Sequence, residues 1–379
     1  MKIYKKAILP LGFKANGVSA GIKKSGKPDL GLVFSENACK VAAVFTKNSF
    51  AAAPVKVSKD LLKRNKLFHG VVVNSGNANC FTAESGLKKA RLMVEVASKN
   101  LGLDSQSVFV ASTGIIGKQL AIEKIIKAMP ELVNGLTSAG IKKFSQAILT
   151  TDKFKKEITV KLDINGREIT ICGACKGAGM ICPNMATMLG FIFTDLAIDQ
   201  LSLKEALKIA VADSFNSISV DGCQSTNDTV LILANGAAGN KVLSKNSKDY
   251  AKFLKALNFV CLELAKMIVK DGEGATKIIQ IDVVAAETKE EAKKVGLTVA
   301  NSNLFKTAMY GADPNFGRIV QAIGITGVEV KEKDLKLAFS PLKKKEVKIK
   351  ISLGRGSKSA TVYTSDLTPE YIKINSQYN

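Results

Sequence analysis

Apolar positions recur along this chain in two periods, and each period marks a different element. Val71, Val72 and Val73 form an unbroken apolar run that meets a polar cluster opening at Asn74, as a buried strand does on entering a loop. Leu87, Ala90, Val94, Ala97 and Leu101 then fall at steps of three and four and stop before Gly102, which predicts an amphipathic helix. Ile122, Ile125, Ile126 and Met129 predict a second helix ending before Pro130. Thr159–Ile164 and Arg167–Ile171 flank Asn165-Gly166, a pair suited to a type I′ turn, so 157–171 is expected to be a hairpin. Met188–Thr194 and Thr229–Ala234 carry the continuous hydrophobicity of buried strands. Ser202 with Glu205 has the form of a capping box opening a helix to about Phe215, and Thr288 with Glu291 repeats the device. A long amphipathic helix is expected over 249–268. Ile279, Ile281 and Val283 alternate with polar residues, as do Val347, Ile349 and Ile351, giving half-buried strands. Strands and helices interleave, which places the chain in the α/β or α+β class.

Composition narrows the picture. A chain of 379 residues suggests two structural units, and 46% hydrophobic residues exclude disorder as the main state. No apolar run is long enough for a membrane-spanning helix. The start of the chain, Met1 to Phe13, has too short an apolar run for a signal peptide and is expected to be the first structural segment. The net charge of +22 raises nucleic-acid binding, but only five of the 55 basic residues are Arg, the side chain suited to reading guanine. Trp is absent, so platforms for stacking bases are sparse as well. A lysine-coated surface is the better account of the charge. Seven Cys, an odd count, fit a reduced cytoplasmic chain.

Most familiar chemistries lack their residues. His69 is the only histidine and has no nucleophile motif beside it. Cys172 and Cys175 make one CxxC without a second, so a metal site is not expected. No phosphate-binding glycine loop of either common type is present. What remains is a series of loops rich in hydroxyl and amide groups, among them Asn74–Asn79, Ser112–Gly114, Thr150–Asp152, 184–187, Asp221–Thr229 and Asp271–Thr276. Such loops suit catalysis by hydroxyls and backbone donors. A Thr becomes a nucleophile without His when chain cleavage makes it an N-terminus, because its own amine then serves as base. Ala186-Thr187 has the small preceding residue this needs, directly before the strand at 188–194. By this argument alone Thr82, Thr113, Thr150, Thr187 and Thr226 stay unranked.

The same residues carry a family likeness over nearly the whole chain. Pro10-Leu-Gly-Phe-Lys-Ala-Asn-Gly-Val-Ser-Ala-Gly-Ile22, Val44-Phe-Thr46, Asn74–Asn79, Ser112-Thr-Gly114 and Thr150-Thr-Asp152 open the series. Lys176-Gly-Ala-Gly-Met180, Pro183-Asn-Met-Ala-Thr-Met-Leu189, Ser219-Val-Asp-Gly222 and Ser225-Thr-Asn-Asp-Thr229 continue it. Asp271–Lys277, Asp313–Arg318 and Asp366–Tyr371 close it. With these motifs the sequence resembles the ornithine acetyltransferase family, the glutamate N-acetyltransferases of arginine biosynthesis. The resemblance implies a two-unit α/β fold of the ornithine acetyltransferase and β-aminopeptidase type. It implies self-cleavage between Ala186 and Thr187 into an α chain, 1–186, and a β chain, 187–379, which stay together as αβ units in a homo-oligomer such as α2β2.

The implied reaction is ping-pong transfer of acetyl from N2-acetyl-L-ornithine to L-glutamate through an ester on Thr187. The resemblance assigns the oxyanion hole to Thr113 and Gly114. It assigns substrate contacts to Thr150, Lys176, Glu273 and Asn375, together with Thr187 itself. Lys176 suits an α-carboxylate, with a solvated loop lysine as the alternative, and Glu273 suits the ornithine ammonium, with Lys277 as an alternative partner. Thr151 is an alternative to Thr150. No cofactor, metal, nucleic acid or membrane is implied, acetyl-CoA is a candidate second donor, and the location is expected to be cytoplasmic. Cys175 and Cys182 are expected to be small buried side chains. The rival functions are a self-processing amidase or aminopeptidase, with water as acceptor, and a basic nucleic-acid-binding protein.

Overall fold

The structure is a computed structural model and describes residues 1–65, 67–182 and 188–377. Its strands are β1 (Lys2–Tyr4), β2 (Phe13–Val18), β3 (Leu30–Phe45), β4 (Phe68–Asn77), β5 (Val108–Ile115), β6 (Lys156–Ile164), β7 (Arg167–Lys176), β8 (Leu189–Thr194), β9 (Ile218–Ser219), β10 (Thr229–Ala234), β11 (Ile278–Ala286), β12 (Lys336–Phe339), β13 (Glu346–Ser352) and β14 (Lys358–Ser365). The chain divides into two compact units. The first is Met1–Gly177, Asn184–Val211 and Ser225–Leu264, and the second is Ala178–Pro183, Ala212–Gln224 and Ala265–Asn379. Neither unit coincides with the segments on either side of the 186–187 bond.

The first unit is built on a sheet in the order β1-β6-β7-β8-β10-β3-β4-β5, with β2 also paired to β3. The long β3 changes partners along its length. Its first part pairs with β2 and β4, and after a register shift between Phe34 and Cys39 its last six residues pair with β10. Strands β8 and β10 lie parallel, and every residue of both is buried. Burial on two faces explains why their sequences are continuously apolar rather than alternating. Helices Ala53–Arg64, Ala83–Asn100 and Ile122–Asn134 pack on this sheet through Val57 and Leu61, Met93 and Ala97, and Ile125 and Met129. Phe144 meets Phe191 and Phe13 meets Phe193 at ring separations of 5.4 and 5.5 Å in the core. Gly17 lets helix Ile141–Ala147 close on β2, because a Cβ there would run into the carbonyl of Lys143.

The hairpin forms as expected, with Asn165 and Gly166 at φ 54° and 74° joining β6 to β7. Three expectations change. Helix Ile122–Asn134 runs through Pro130. The ring removes the bond to the carbonyl of Ile126, and Ile126 lies on the exposed side, where water can replace the donor. The helix expected to open at Ser202 opens at Gln200 and ends at Ala212. Asp199, not Ser202, is its capping group, accepting from the Ser202 N–H at 2.9 Å and from the Ser202 hydroxyl at 2.7 Å. Strand β4 does not stop at Asn74 but continues to Asn77, for reasons given below. The long amphipathic helix runs from Tyr250 to Lys270.

In the second unit the sheet order is β12-β13-β11-β14-β9. The two alternating segments pair in parallel, with Ile279, Ile281 and Val283 opposite Val347, Ile349 and Ile351, all buried. Helix Lys289–Asn301 covers them with Ala292, Val295 and Val299. Thr288 caps that helix as expected, its hydroxyl accepting from Glu291 N–H at 3.0 Å. Among the described residues no helix is long and apolar enough to cross a membrane.

Candidate active site

The polar end of β4 stays in the sheet because each side chain finds a partner inside. Asn74 donates to Asn77 O at 2.9 Å and accepts from the Ser112 hydroxyl at 2.6 Å. Ser75 donates to Ala147 O, and Asn77 donates to Lys118 O at 3.1 Å. Satisfied polar groups tolerate burial, so the strand continues where its polarity predicted a loop. Parallel pairing sets Asn74, Ser75 and Gly76 beside Ser112, Thr113 and Gly114 of β5, followed by a register shift at Asn77. Gly114 takes φ 133°, and a Cβ there would run into the Gly76–Asn77 peptide. This position therefore admits only glycine, and it presents Thr113 and Gly114 half-buried at the strand end.

Around these strands lies a buried set of charges. Asp152 accepts from Lys156 Nζ at 2.7 Å, with both side chains fully excluded from solvent. It also accepts from Gly177 N–H at 2.7 Å and Thr150 N–H at 3.0 Å, and Lys176 Nζ stands 3.9 Å from it. Burial alone would push the Asp152 carboxyl up. The ammonium groups of Lys176 and Lys156 overcome this and hold it well below the usual carboxylate range. Thr150 and Lys176 thus meet on one carboxylate that pattern reading singled out only as a loop residue. Thr150 bonds Asp152 through its N–H and, at 3.5 Å, its hydroxyl. Lys176 ends β7 at 8% exposure, which rules out the solvated-loop alternative. Lys23 packs over Gly76. Its ammonium is brought down to about 8, chiefly by burial, with Asp29 opposing and Lys176 adding to the effect. The β4–β5 end and the Lys176–Asp152 pair therefore share one electrostatic neighbourhood.

The second unit brings together two other expected residues. Glu273 is 7% exposed and accepts from Asn375 Nδ2 at 3.0 Å. Its loop is anchored by Glu273 N–H donating to Ala178 O at 3.0 Å, and by Asp366 accepting from Thr276 and Lys277 N–H at 2.9 and 3.0 Å. Lys277 turns away and donates to Met309 O at 2.5 Å, so it is not the partner of Glu273. Asp221 holds the chain just ahead of residue 183, accepting from Met180 and Ile181 N–H at 2.6 and 2.9 Å and from the Tyr371 hydroxyl at 3.3 Å. Burial, then Asp221, push the Tyr371 phenol up. Asp152, Asp221 and Tyr371 were not singled out as candidates because their contacts depend on partners far away in sequence.

Ala186 and Thr187, the expected cleavage point and nucleophile, lie outside the described residues. His69 donates Nδ1–H to Ser35 O at 3.0 Å and stacks on Phe34. Cys172 and Cys175 lie three apart on β7, hence on opposite faces, and both are buried. Burial pushes the Cys172 thiol up to about 12. Cys182 departs from expectation, being half-buried and accepting from Asn301 Nδ2 at 3.4 Å. Among the described residues no three His, Cys, Asp or Glu side chains are grouped to hold a metal.

Comparison with known proteins gives a consistent result. The ArgJ family model matches residues 14–343 and 336–379. The arginine biosynthesis bifunctional protein ArgJ of Geobacter sulfurreducens is 44% identical over 388 residues, covering 97% of this chain and 98% of that protein. Its counterpart from Oceanobacillus iheyensis is 42% identical over 389 residues, covering 97% and 95%. Among solved structures, the arginine biosynthesis bifunctional protein of Bacillus halodurans aligns at 39% identity and a TM-score of 0.49, covering 51% of this chain and 100% of its own. On a match that runs from residue 14 to the last residue, with relatives this similar over almost their full lengths, the chain belongs to the ArgJ family.

Proposed function

We propose that this protein is a self-processing acetyltransferase of arginine biosynthesis that moves acetyl from N2-acetyl-L-ornithine to L-glutamate, with acetyl-CoA as a second donor. The observation that carries the proposal is the family match over residues 14–379, which includes the Ala186-Thr187 motif. Cleavage between these residues frees the Thr187 amine. Thr187 Oγ attacks the acetyl carbonyl while that amine accepts the hydroxyl proton. The C–N bond to ornithine breaks, the leaving nitrogen takes the proton, and an acetyl ester remains. The glutamate amine then attacks the ester, the C–O bond breaks, and Thr187 regains its hydroxyl.

The geometry supports the remaining roles. Thr113 and Gly114 end a rigid strand, where a hydroxyl and a backbone N–H can meet the oxyanion of each intermediate. Lys176 offers a cation to a substrate carboxylate, with Asp152 and Thr150 fixing its surroundings. Glu273, oriented by Asn375, offers an anion to the ornithine ammonium. Both substrates are small molecules, and both chains of the cut precursor remain together in the enzyme. The location is cytoplasmic, as suits biosynthesis, and the αβ unit forms a homo-oligomer.

The test is mass measurement under denaturing conditions, beside a Thr187→Ala variant. Wild type should give fragments 1–186 and 187–379, and the variant should remain whole. Acetylornithine-dependent acetylation of glutamate then separates this function from an aminopeptidase, which would pass the acyl group to water. A folded wild-type chain that stays intact would refute the proposal.

A further inference from the structure

The segment between β9 and β10 carries two neighbouring side chains that hold two different strands. Asn227 donates both amide hydrogens, to Ala78 O at 2.7 Å and to Ser112 O at 2.8 Å. Ser112 immediately precedes Thr113. Asp228 is fully buried, and its carboxyl accepts from the backbone N–H of Met188, with the Ser225 hydroxyl also bonded to it. Its Oδ2 has no hydrogen-bond partner among the described residues. Met188 immediately follows Thr187. The main chain reinforces the second link, with Thr229 N–H donating to Met188 O at 3.1 Å, and Thr46 N–H, just past β3, donates to Asp228 O at 3.0 Å.

We propose that Asn227 and Asp228 are positioning residues that set the oxyanion strand in register with the nucleophile strand. Asn227 fixes the backbone just before Thr113, and Asp228 fixes the backbone just after Thr187. The proposal rests on the assignment of Thr187 as nucleophile. Attack requires the reacting oxygen and the oxyanion donors to keep one separation, and two strands joined through adjacent residues of a third segment keep it. A misplacement of ~1 Å costs catalysis about 100-fold. Burial pushes the Asp228 carboxyl well above its ordinary range, with the Met188 N–H and the Lys176 charge opposing. What the link to Met188 needs from residue 228 is an accepting oxygen. Asparagine can supply the same acceptor; alanine cannot.

The experiment compares wild type, Thr187→Ala, Asp228→Asn, Asp228→Ala and Asn227→Ala in the full chain. It reads precursor cleavage, thermal melting, and kcat and KM for acetylornithine. Asp228→Asn should cleave and turn over within about threefold of wild type. Asp228→Ala and Asn227→Ala should keep a cooperative melt while losing cleavage, or lose kcat by about 10- to 100-fold with KM nearly unchanged. Folded alanine variants that match wild type would overturn the proposal. So would an Asp228→Asn variant as impaired as Asp228→Ala, because an accepting oxygen at 228 would then not be what holds the strand. If Asp228→Ala does not fold, Asn227→Ala and Asp228→Asn decide. A wild type that neither cleaves nor transfers acetyl would instead remove the nucleophile assignment, and this proposal with it.

Discussion

Lys156 and Asp152 form a 2.7 Å ion pair in which neither side chain reaches solvent. Such a pair stabilises weakly as a whole, but losing one member leaves a buried charge uncompensated. Lys156→Met should therefore cost about 3–5 kcal/mol in denaturant unfolding. A Lys156→Met/Asp152→Leu double variant should recover only part of that loss, because it also strands Lys176 and the Gly177 and Thr150 N–H groups. The Asp152 carboxyl is held below its ordinary range, so its contribution is complete above the unfolded carboxyl range and disappears as pH falls through the folded value. Acid titration of stability should accordingly be steeper for wild type than for the double variant.

Glu273 should act in binding more than in chemistry. Glu273→Gln keeps the bond from Asn375 and removes the charge. The KM for acetylornithine should rise about 10- to 100-fold, as expected for a lost charge-assisted bond of ~1.5–3 kcal/mol. Steady-state kinetics checks this, and a change confined to kcat would contradict it.

Thr113 should behave in the opposite way. Thr113→Ala removes one of the two proposed oxyanion donors, so kcat should fall about 100- to 1,000-fold with KM little altered. Autoprocessing should slow as well, because cleavage before Thr187 passes through the same kind of intermediate. Gel densitometry of the precursor measures this directly.

Lys306 gives a pH signature of its own. It is buried, donates to Thr364 Oγ1 at 3.0 Å and to Ser365 O, and is brought down to about 8 by burial, with Asp366 and Asp221 opposing. A lysine lowered on folding leaves the unfolded chain with more bound protons between about 8 and the unfolded value near 10.4, so its contribution to stability rises with pH across that window. Buried thiols such as Cys39 and Cys172 titrate in the opposite sense. The difference in denaturation midpoint between wild type and Lys306→Met, followed from pH 8 to 10, isolates the lysine.

What was legible in the sequence had local causes. Asn165-Gly166 announced the hairpin because its turn needs positive φ at both residues. Unbroken apolar runs announced β8 and β10, and the family likeness singled out Glu273 and Asn375, which the structure joins by a hydrogen bond. What was not legible depended on distant partners. Asn74, Ser75 and Asn77 look like a loop until Ser112, Ala147 and Lys118 are there to receive them. Asp199 took the cap from Ser202 because the cap of that helix lies three residues earlier than the capping box suggested. Nothing in the run Thr150-Thr-Asp152 says that its carboxylate will meet two lysines.

The strand order has a consequence for the cut enzyme. Strands β8 and β10 lie beyond residue 187, yet β7 and β3, from before it, flank them on either side. The proposed cleavage would therefore produce two polypeptides that share one ladder of hydrogen bonds, neither with a finished sheet of its own. They should part only when the sheet melts, as one cooperative transition. Fragments made separately would each expose unpaired strand edges and apolar surface, and would aggregate rather than find one another. On this strand order the intact chain is the folding unit, and the proposed two-chain enzyme would be a state reachable only through it.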